Sequence, residues 1–415
     1  MALEGVRGLA AIIVVLHHFA FAFFPLLVLG TGTIQHMRLE DNIHGTPFAL
    51  LFAGTFAVAI FFVLSGFVLT IGFFQTKKEN IIKKLAAKRY LRLMLPALTI
   101  TLICFVFIKL GFPQYIAKAA SVTGSNWLSG ESWKFDVHLF DALYSGTIGI
   151  FIEGKSMYDN VLWTMMTEFI GSFIVFGFAL LFGNSKHRWI CYIAAAILAF
   201  NTWYLPFIFG MALADLYATG RLERFRKRPW VIGGLVGAVF FGTYTWSAPA
   251  SIYSSINKLL FANASINYLV LYLTVGATLL IFAVLMSKRL TSWLERPRVS
   301  VLGKYTFSLY LVHLPVLYTT GVLTFLALNS YLSYNIAVLI TFLVNIPVVI
   351  LATVLFERYV DAPAVKFSSI VARVFESGES IGIRKYALRI RHKIRKTQAI
   401  LSRKPVEAIE EISVE

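Results

Sequence analysis

Apolar residues of this 415-residue chain gather in runs that are long enough to cross a lipid bilayer. A spanning helix needs about 20 such residues. The pattern predicts an all-α, polytopic membrane helix bundle of about ten transmembrane helices. One run, WICYIAAAILAF, is short and is either a tenth span or a re-entrant piece. The runs lie near residues 8–29, 48–74, 93–112, 161–183, 189–200, 203–219, 230–247, 265–286, 305–328 and 332–356.

The basic residues between the runs favour ten spans over nine. With ten spans and a cytoplasmic N-terminus, the inner loops carry 19 Lys and Arg residues and the outer loops carry 5. Cytoplasmic loops of membrane proteins have such an excess of cations. With nine spans the later loops exchange sides and the asymmetry is lost. The pattern therefore predicts that both termini are cytoplasmic.

Composition agrees with a multi-pass membrane protein. The chain is 58% hydrophobic and only 14% charged, whereas soluble domains are about half apolar and a quarter charged. The net charge of +17 would indicate nucleic acid in a soluble chain. Here the cations flank and follow apolar runs, so we predict anionic lipids as partners and no nucleic acid.

The pattern divides the chain into a membrane domain, residues 1–363, and a basic cytoplasmic tail, residues 364–415. Within the tail, IRKYALRIRHKIRKTQAIL (383–401) places apolar residues at helical spacing among many cations. Such a helix suits the surface of the inner leaflet. The alternative is a disordered basic tail.

Arg7 and His18 interrupt the first run. Their separation of 11 residues corresponds to about 1100° of helical rotation, so both lie on one face, about 16 Å apart along the axis. His17 points about 100° away. Ionisable residues inside spans are costly and often functional. We interpret His18 as a candidate catalytic residue, because imidazole takes and returns protons near neutral pH; a helix-packing hydrogen bond is the alternative.

Two further motifs place charged residues inside or beside spans. Arg89 and Arg92 in KRYLRLMLP share a helix face, and two guanidiniums suit a phosphate or pyrophosphate. Ordinary loop charge explains them equally well. Glu168 in LWTMMTEF is the only acid of its span. It either orients or balances a histidine, as a second candidate catalytic residue, or is a paired structural carboxylate.

Weaker polar candidates lie in two other spans. Ser65 belongs to FFVLSGF, where the small Ser-Gly pair favours close helix contact over a nucleophile. Tyr310 and His313 belong to GKYTFSLYLVHLP, which forms either a second polar site or a hydrogen-bonded kink beside Pro315. The spacing of metal-binding motifs is absent from the sequence, so we predict no metal and no bound cofactor.

In combination these motifs resemble the membrane acyltransferase family (acyltransferase 3), whose members O-acylate bacterial surface glycans. The resemblance covers residues 3–363, and Glu4 stands where the family usually has Asp. Seven segments follow the family's order: LEGVRGLAAIIVVLHHF, FFVLSGF, KRYLRLMLP, LWTMMTEF, FIFGMALADL, GKYTFSLYLVHLP and FERYVDAP.

The resemblance implies roles for particular residues. His18 takes the position of the catalytic histidine, Arg89 and Arg92 those of the donor-binding arginines, and Glu168 the acidic position. Arg7 is expected near the donor. The implied donor substrate is a cytoplasmic acyl-CoA, most simply acetyl-CoA.

The implied acceptor is a carbohydrate hydroxyl of a cell-surface or exported glycan, such as lipopolysaccharide or exopolysaccharide, or of a lipid-linked sugar. The implied location is the bacterial inner membrane, with glycan-assembly machinery as a partner. Two other classes remain open at this point. Intramembrane Arg, His and Glu also serve transporters of glycan or lipid intermediates, and an inactive scaffold is the third reading.

Overall fold

The computed structural model describes residues 2–30, 33–43, 46–130, 133, 135–244, 253, 255 and 267–377, which form helices and no β-strand. Ten helices coincide with the predicted runs and are labelled in chain order. They are α1 (Ala2–Phe23), α2 (Gly54–Thr76), α3 (Glu79–Lys109), α4 (Asn160–Phe182), α5 (Arg188–Leu198), α6 (Leu205–Ala218), α7 (Arg228–Gly242), α8 (Tyr268–Met286), α9 (Pro297–Asn329) and α10 (Tyr334–Val374).

Seven of these helices, all except α5, α6 and α7, are long and apolar enough to cross a membrane. The prediction of an all-α polytopic membrane bundle is therefore confirmed. The three others are apolar, but they contain only 11, 14 and 15 residues within the described part of the chain. The total of ten spans, the side of each terminus and the division into two parts stay predictions.

Shorter helices occupy the connections between the labelled helices. The longest, Leu139–Ile152, is apolar and falls in a region predicted as a loop. It contains a π-helical turn, as do α9 and α10. The remaining short helices are Pro25–Leu29, Leu39–Ile43, Phe112–Thr123, Asn126–Gly130 and Lys288–Leu294, with 3₁₀ turns at Pro47–Phe52 and Glu223–Phe225.

The last predicted span does not end at residue 356. The helix continues through a π-helical turn, Glu357–Asp361, into a segment that packs on α3. Pro363, which has no N–H to donate, follows the wide turn and begins a new helical stretch, where its missing donor costs least. The predicted surface helix at 383–401 lies outside the described residues.

Burial separates a central helix from a peripheral one. In α2, 72% of the most apolar 18-residue window is buried, whereas the figure for α10 is 28%. An apolar helix that the protein leaves uncovered is expected to face lipid. The bundle is therefore organised around α2, with α10 at its edge.

Glycines set the register of α1 against α9. A β-carbon at Gly8 would overlap Leu302 and approach the backbone of Gly303, and one at Gly303 would meet Glu4. Small residues allow helix backbones to approach this closely in membranes. His18 lies ten residues after Gly8 and His313 ten residues after Gly303. Because the two helices run parallel from the glycine contact, the two histidines reach the same level.

A second close contact joins α2 to α6. A β-carbon at Gly66 would overlap the carbonyl of Phe207, and one at Gly210 would overlap the carbonyl of Val63. The close helix contact expected at the Ser65–Gly66 pair is thus formed by Gly66. Its neighbour Ser65 points into the bundle and contacts a charged residue described below.

Candidate active site

A cavity of about 230 Å³ lies between α1, α2, α3, α4 and α9. Apolar side chains of α2 form one wall, and polar groups occupy the rest. Four cations line the cavity, one from the start of α1 and three from the first half of α3. The polar and charged lining comprises Arg7, Lys88, Arg89, Arg92, Ser65, Glu168, Thr164, Thr306 and Tyr310.

Arg89 binds side chains of α4. Its Nε donates to Ser172 Oγ at 2.8 Å, and its guanidinium forms an ion pair with Glu168. Ser65 Oγ also donates to Glu168, at 2.6 Å. The arginine side chain is 11% exposed and the glutamate side chain 16%. Glu168 is therefore a paired carboxylate that bonds Arg89 and Ser65, one of the two alternatives left open by the sequence.

The other three cations of the cavity are less committed. Within the described residues, Arg92 and Lys88 make no hydrogen bond or ion pair, although Asp361 and Glu4 act on Arg92 through space. Arg7 forms a salt bridge with Glu4, with 3.6 Å between Nη1 and Oε1. Buried or half-buried cations without close partners favour an anionic ligand. This part of the cavity can bind phosphate groups.

His18 and His313 form a direct pair. His18 Nδ1 lies 3.0 Å from His313 Nε2, and the ring centroids are 5.0 Å apart. His313 is 2% exposed, whereas His18 is only partly buried. The pairing follows from the matched register of α1 and α9. His18 therefore keeps some exposed surface, and it lies outside the lining of the cation cavity.

Backbone carbonyls determine which nitrogens of the pair carry hydrogen. His18 Nδ1 lies 3.0 Å from Val14 O, and His313 Nδ1 lies 3.0 Å from Leu309 O. A carbonyl only accepts hydrogen bonds, so each neutral ring is assigned its proton on Nδ1. His18 Nδ1–H is then shared between Val14 O and the lone pair of His313 Nε2. The assignment leaves His18 Nε2 unprotonated, as a general base requires.

The His17 ring packs edge-to-face on that of His18, with centroids 5.0 Å apart, but its hydrogen bond goes to another segment. Its Nδ1 lies 2.7 Å from Phe52 O, and its ring packs against Gly54, where a β-carbon would overlap it. The neighbouring histidine thus contacts the connection before α2 and the start of that helix. The geometry agrees with the 100° offset expected from the sequence.

Tyr310 lies between the cavity and the histidine pair. Its ring lines the cavity and its centroid is 6.1 Å from that of His313. Its hydroxyl donates to Val161 O at 2.9 Å. Of the three residues predicted as a possible second polar site, Ser65 and Tyr310 line the cavity and His313 does not. Ser65 bonds Glu168, the Tyr310 hydroxyl is also 3.0 Å from Thr164 Oγ1, and His313 pairs with His18.

Two residues near the cavity and the histidine pair could not be recognised as site residues from the sequence. Lys88 lines the cavity beside Arg92, but a lysine before a span is indistinguishable from ordinary loop charge. Trp127 lies in a segment predicted as an outer loop, and its ring centroid is 5.4 Å from that of His18. Only the packing of the short helix Asn126–Gly130 on α1 brings it there.

Comparison with known proteins identifies the family of the chain. A family model described as an acyltransferase domain, Acyl_transf_3, matches residues 2–356. The fold and the family define a multi-pass membrane protein that carries an acyltransferase domain, and the chain belongs to the acyltransferase 3 family. The family membership and enzyme class expected from the seven motifs are thereby confirmed.

One curated relative is the O-acetyltransferase PaAT-1 of Phomopsis amygdali, 26% identical over 251 residues. The match covers 52% of this chain and 48% of the relative, so this chain spans about half the length of that protein. No solved structure matches.

Proposed function

We propose that this protein is an integral membrane O-acyltransferase that moves an acyl group from acyl-CoA to a hydroxyl of a carbohydrate. Acetyl-CoA is the simplest donor, and it is a substrate, not a bound cofactor. One juxtaposition carries the proposal. The cavity holds two cations without a hydrogen-bond or ion-pair partner among the described residues, Arg92 and Lys88, and its Tyr310 ring lies 6.1 Å from His313, which pairs with the partly exposed His18.

The donor half of the proposal rests on the cations. Coenzyme A carries several phosphate groups, and guanidinium binds phosphate through paired N–H donors. Arg92, Lys88 and Arg7 would bind these groups at one end of the cavity. Arg89 and Glu168 would hold α3 against α4 and so fix the direction of the Arg92 side chain. The apolar wall of α2 would accommodate the acyl chain.

The chemical half rests on His18. Its Nε2 would take the proton of the acceptor hydroxyl while the oxygen attacks the thioester carbonyl. A C–O bond forms, the C–S bond breaks, and the proton passes from His18 to the leaving thiolate. His313 would stabilise the protonated ring by accepting from Nδ1–H. A covalent acyl-histidine on the same route remains open.

The cellular setting follows from the charge asymmetry and from the family resemblance. We place the protein in the bacterial inner membrane, with the donor entering from the cytoplasm and anionic lipids around the basic segments. The acceptor would be an exported or surface glycan or a lipid-linked sugar. Glycan-assembly machinery would then be a functional partner.

The test uses the full chain in lipid nanodiscs and in sealed vesicles, with radiolabelled acetyl-CoA and unacylated glycan from cells that lack the gene. Wild type should transfer label covalently to the glycan, and His18→Ala should not. Label that crosses the vesicle membrane without covalent transfer would support the transporter instead. Neither transfer nor transport at full protein recovery would support the scaffold.

A further inference from the structure

We propose that Trp127 forms the acceptor platform, on which a sugar ring stacks with one hydroxyl directed at His18. This inference rests on the proposed function and specifies the acceptor as a pyranose. The indole lies next to the histidine, and it is absent from the lining of the cation cavity. Donor and acceptor would thus approach His18 from different sides.

The platform is fixed to α1 by contacts immediately beyond the histidine. Phe21 covers one face of the Trp127 indole, with ring centroids 5.0 Å apart and an interplanar angle of 12°, and the tilted ring of Tyr318 lies 6.0 Å away. Ser125 Oγ donates to Phe21 O at 2.7 Å, and Leu128 N donates to Ser125 Oγ at 3.2 Å. The short helix Asn126–Gly130 is thereby held against the same turn of α1 that follows His18.

Trp127 keeps capacity for a ligand. Its side chain is only partly buried, and within the described residues its indole N–H has no hydrogen-bond partner. Trp133 provides a contrast, because its side chain is 3% exposed and its Nε1–H donates to Tyr158 O at 2.7 Å. Trp127 Nε1 is not among the buried polar atoms that lack a partner. Its N–H is therefore accessible, and a polar ligand can accept from it.

A carbohydrate fits this combination of groups. The π face of indole is electron-rich and attracts the partly positive C–H groups on one side of a pyranose ring. The indole N–H can donate to a ring hydroxyl. A second hydroxyl would then meet the unprotonated Nε2 of His18. Aromatic faces with a few directed polar groups are typical of small-molecule sites.

The positions along α1 separate this platform from the donor phosphates. Arg7 lines the cation cavity, and His18 lies about 16 Å further along the helix axis. An acyl-CoA bound at the cations would extend its thioester toward the histidine. A sugar on Trp127 would reach the histidine from the opposite end. The two substrates would not compete for one entrance.

The experiment measures both KM values of Trp127 variants in nanodiscs, with acetyl-CoA and unacylated glycan from cells lacking the gene. Trp127→Ala should raise the KM for glycan about tenfold or more, as loss of a stacking face does for other ring ligands. The KM for acetyl-CoA should not change. The KM of Trp127→Phe for glycan should lie between those of the wild type and Trp127→Ala, because phenylalanine keeps an aromatic face but has no N–H. Trp189→Ala, at an exposed tryptophan of α5, is the matched control.

Several outcomes separate the two proposals. Equilibrium dialysis of the radiolabelled glycan reports binding without turnover, so a loss of transfer in the wild type removes the proposed function but leaves the platform testable. Unchanged glycan binding and KM in a well-folded Trp127→Ala protein would overturn the platform. The platform would also be overturned if the wild type acylated non-sugar alcohols and no glycan, and if Trp127→Ala raised the KM for those alcohols.

Discussion

The two arginines of the KRYLR motif have the same sequence signature and different environments. Arg89 is 9% exposed and bonds both Ser172 and Glu168, whereas Arg92 has no hydrogen-bond or ion-pair partner in the described part of the chain. A guanidinium that already binds a carboxylate has fewer donors left for phosphate. We expect Arg92 to bind the donor and Arg89 to position the helices.

Arg92→Ala should raise the KM for acyl-CoA about tenfold or more while the amount of folded protein stays constant. One lost charge-assisted contact to phosphate has about this effect. Arg92→Lys should restore only part of the affinity, because lysine lacks the planar fork. Steady-state kinetics in nanodiscs measure the change. If the alanine variant keeps the wild-type KM for acyl-CoA, Arg92 contributes only to membrane orientation. The Arg89/Arg92 double variant should remain in the membrane and bind the donor weakly.

Arg89→Ala should act on stability. Removing one partner of a largely buried ion pair typically costs about 3 kcal/mol, because the other charge is left unpaired. Replacing both, as in Arg89→Met with Glu168→Leu, should recover most of that loss. Thermal unfolding of the two proteins in detergent provides the measurement. A double variant less stable than Arg89→Ala would contradict this account.

His18, and not His17, should be essential. His18→Ala should reduce transfer by about 10²–10⁴-fold, the usual contribution of a general acid–base group. His17→Phe should keep most activity, because Nδ1 of His17 binds Phe52 O, and its ring packs edge-to-face on the His18 ring without a hydrogen bond to it. Rates are compared at equal membrane protein levels. The reverse ranking would remove the mechanism proposed for His18.

His313 should act through His18 without touching substrate. His313→Leu should lower kcat about tenfold and leave both KM values unchanged, because the acceptor for Nδ1–H is lost while Val14 O still holds the ring. His313→Asn offers a carbonyl acceptor and should recover part of the rate. Equal rates in the Leu and Asn variants would argue against a positioning role.

At the scale of helices, the glycine contacts of α1 and α9 determine whether the site forms. Gly8→Val should force α1 away from Leu302 and lower both the melting temperature and the rate of transfer. Gly233 lies in open space on α7, so Gly233→Val is the matched control and should change neither strongly. Differential scanning fluorimetry and label transfer measure the two effects. Equal losses in both variants would mean that α1 and α9 tolerate separation.

Sequence alone could predict the helices and single out candidate site residues, because both depend on local pattern. Apolar length located α1 to α4 and α8 to α10, and motif order identified the family. It could not predict that Arg89 is bound while Arg92 is not, since Glu168 lies 79 residues away on another helix. The His18–His313 contact likewise joins residues 295 apart. Such pairings depend on register between helices, which has no local signature.

At the scale of the whole molecule, the distribution of charge predicts the orientation. A phosphatase that is active only outside the cytoplasm, fused after Pro363, should be silent, because the inner loops carry 19 of 24 loop cations. A fluorescent protein fused at the same point should report folding in the cytoplasm. Phosphatase activity there would contradict the ten-span topology.

The His18–His313 contact also bears on the order in which the chain is synthesised and inserted. The ribosome makes α1 first, and it reaches His313 only after 295 further residues. At about 5–20 residues per second, the delay is about 15–60 s. During that interval the polar face of α1 has been inserted without the helix that it packs against. A nascent chain of this protein therefore lacks the His18–His313 pair until α9 is inserted, and a chain truncated before α9 should show at most the reduced rate expected of His313→Leu.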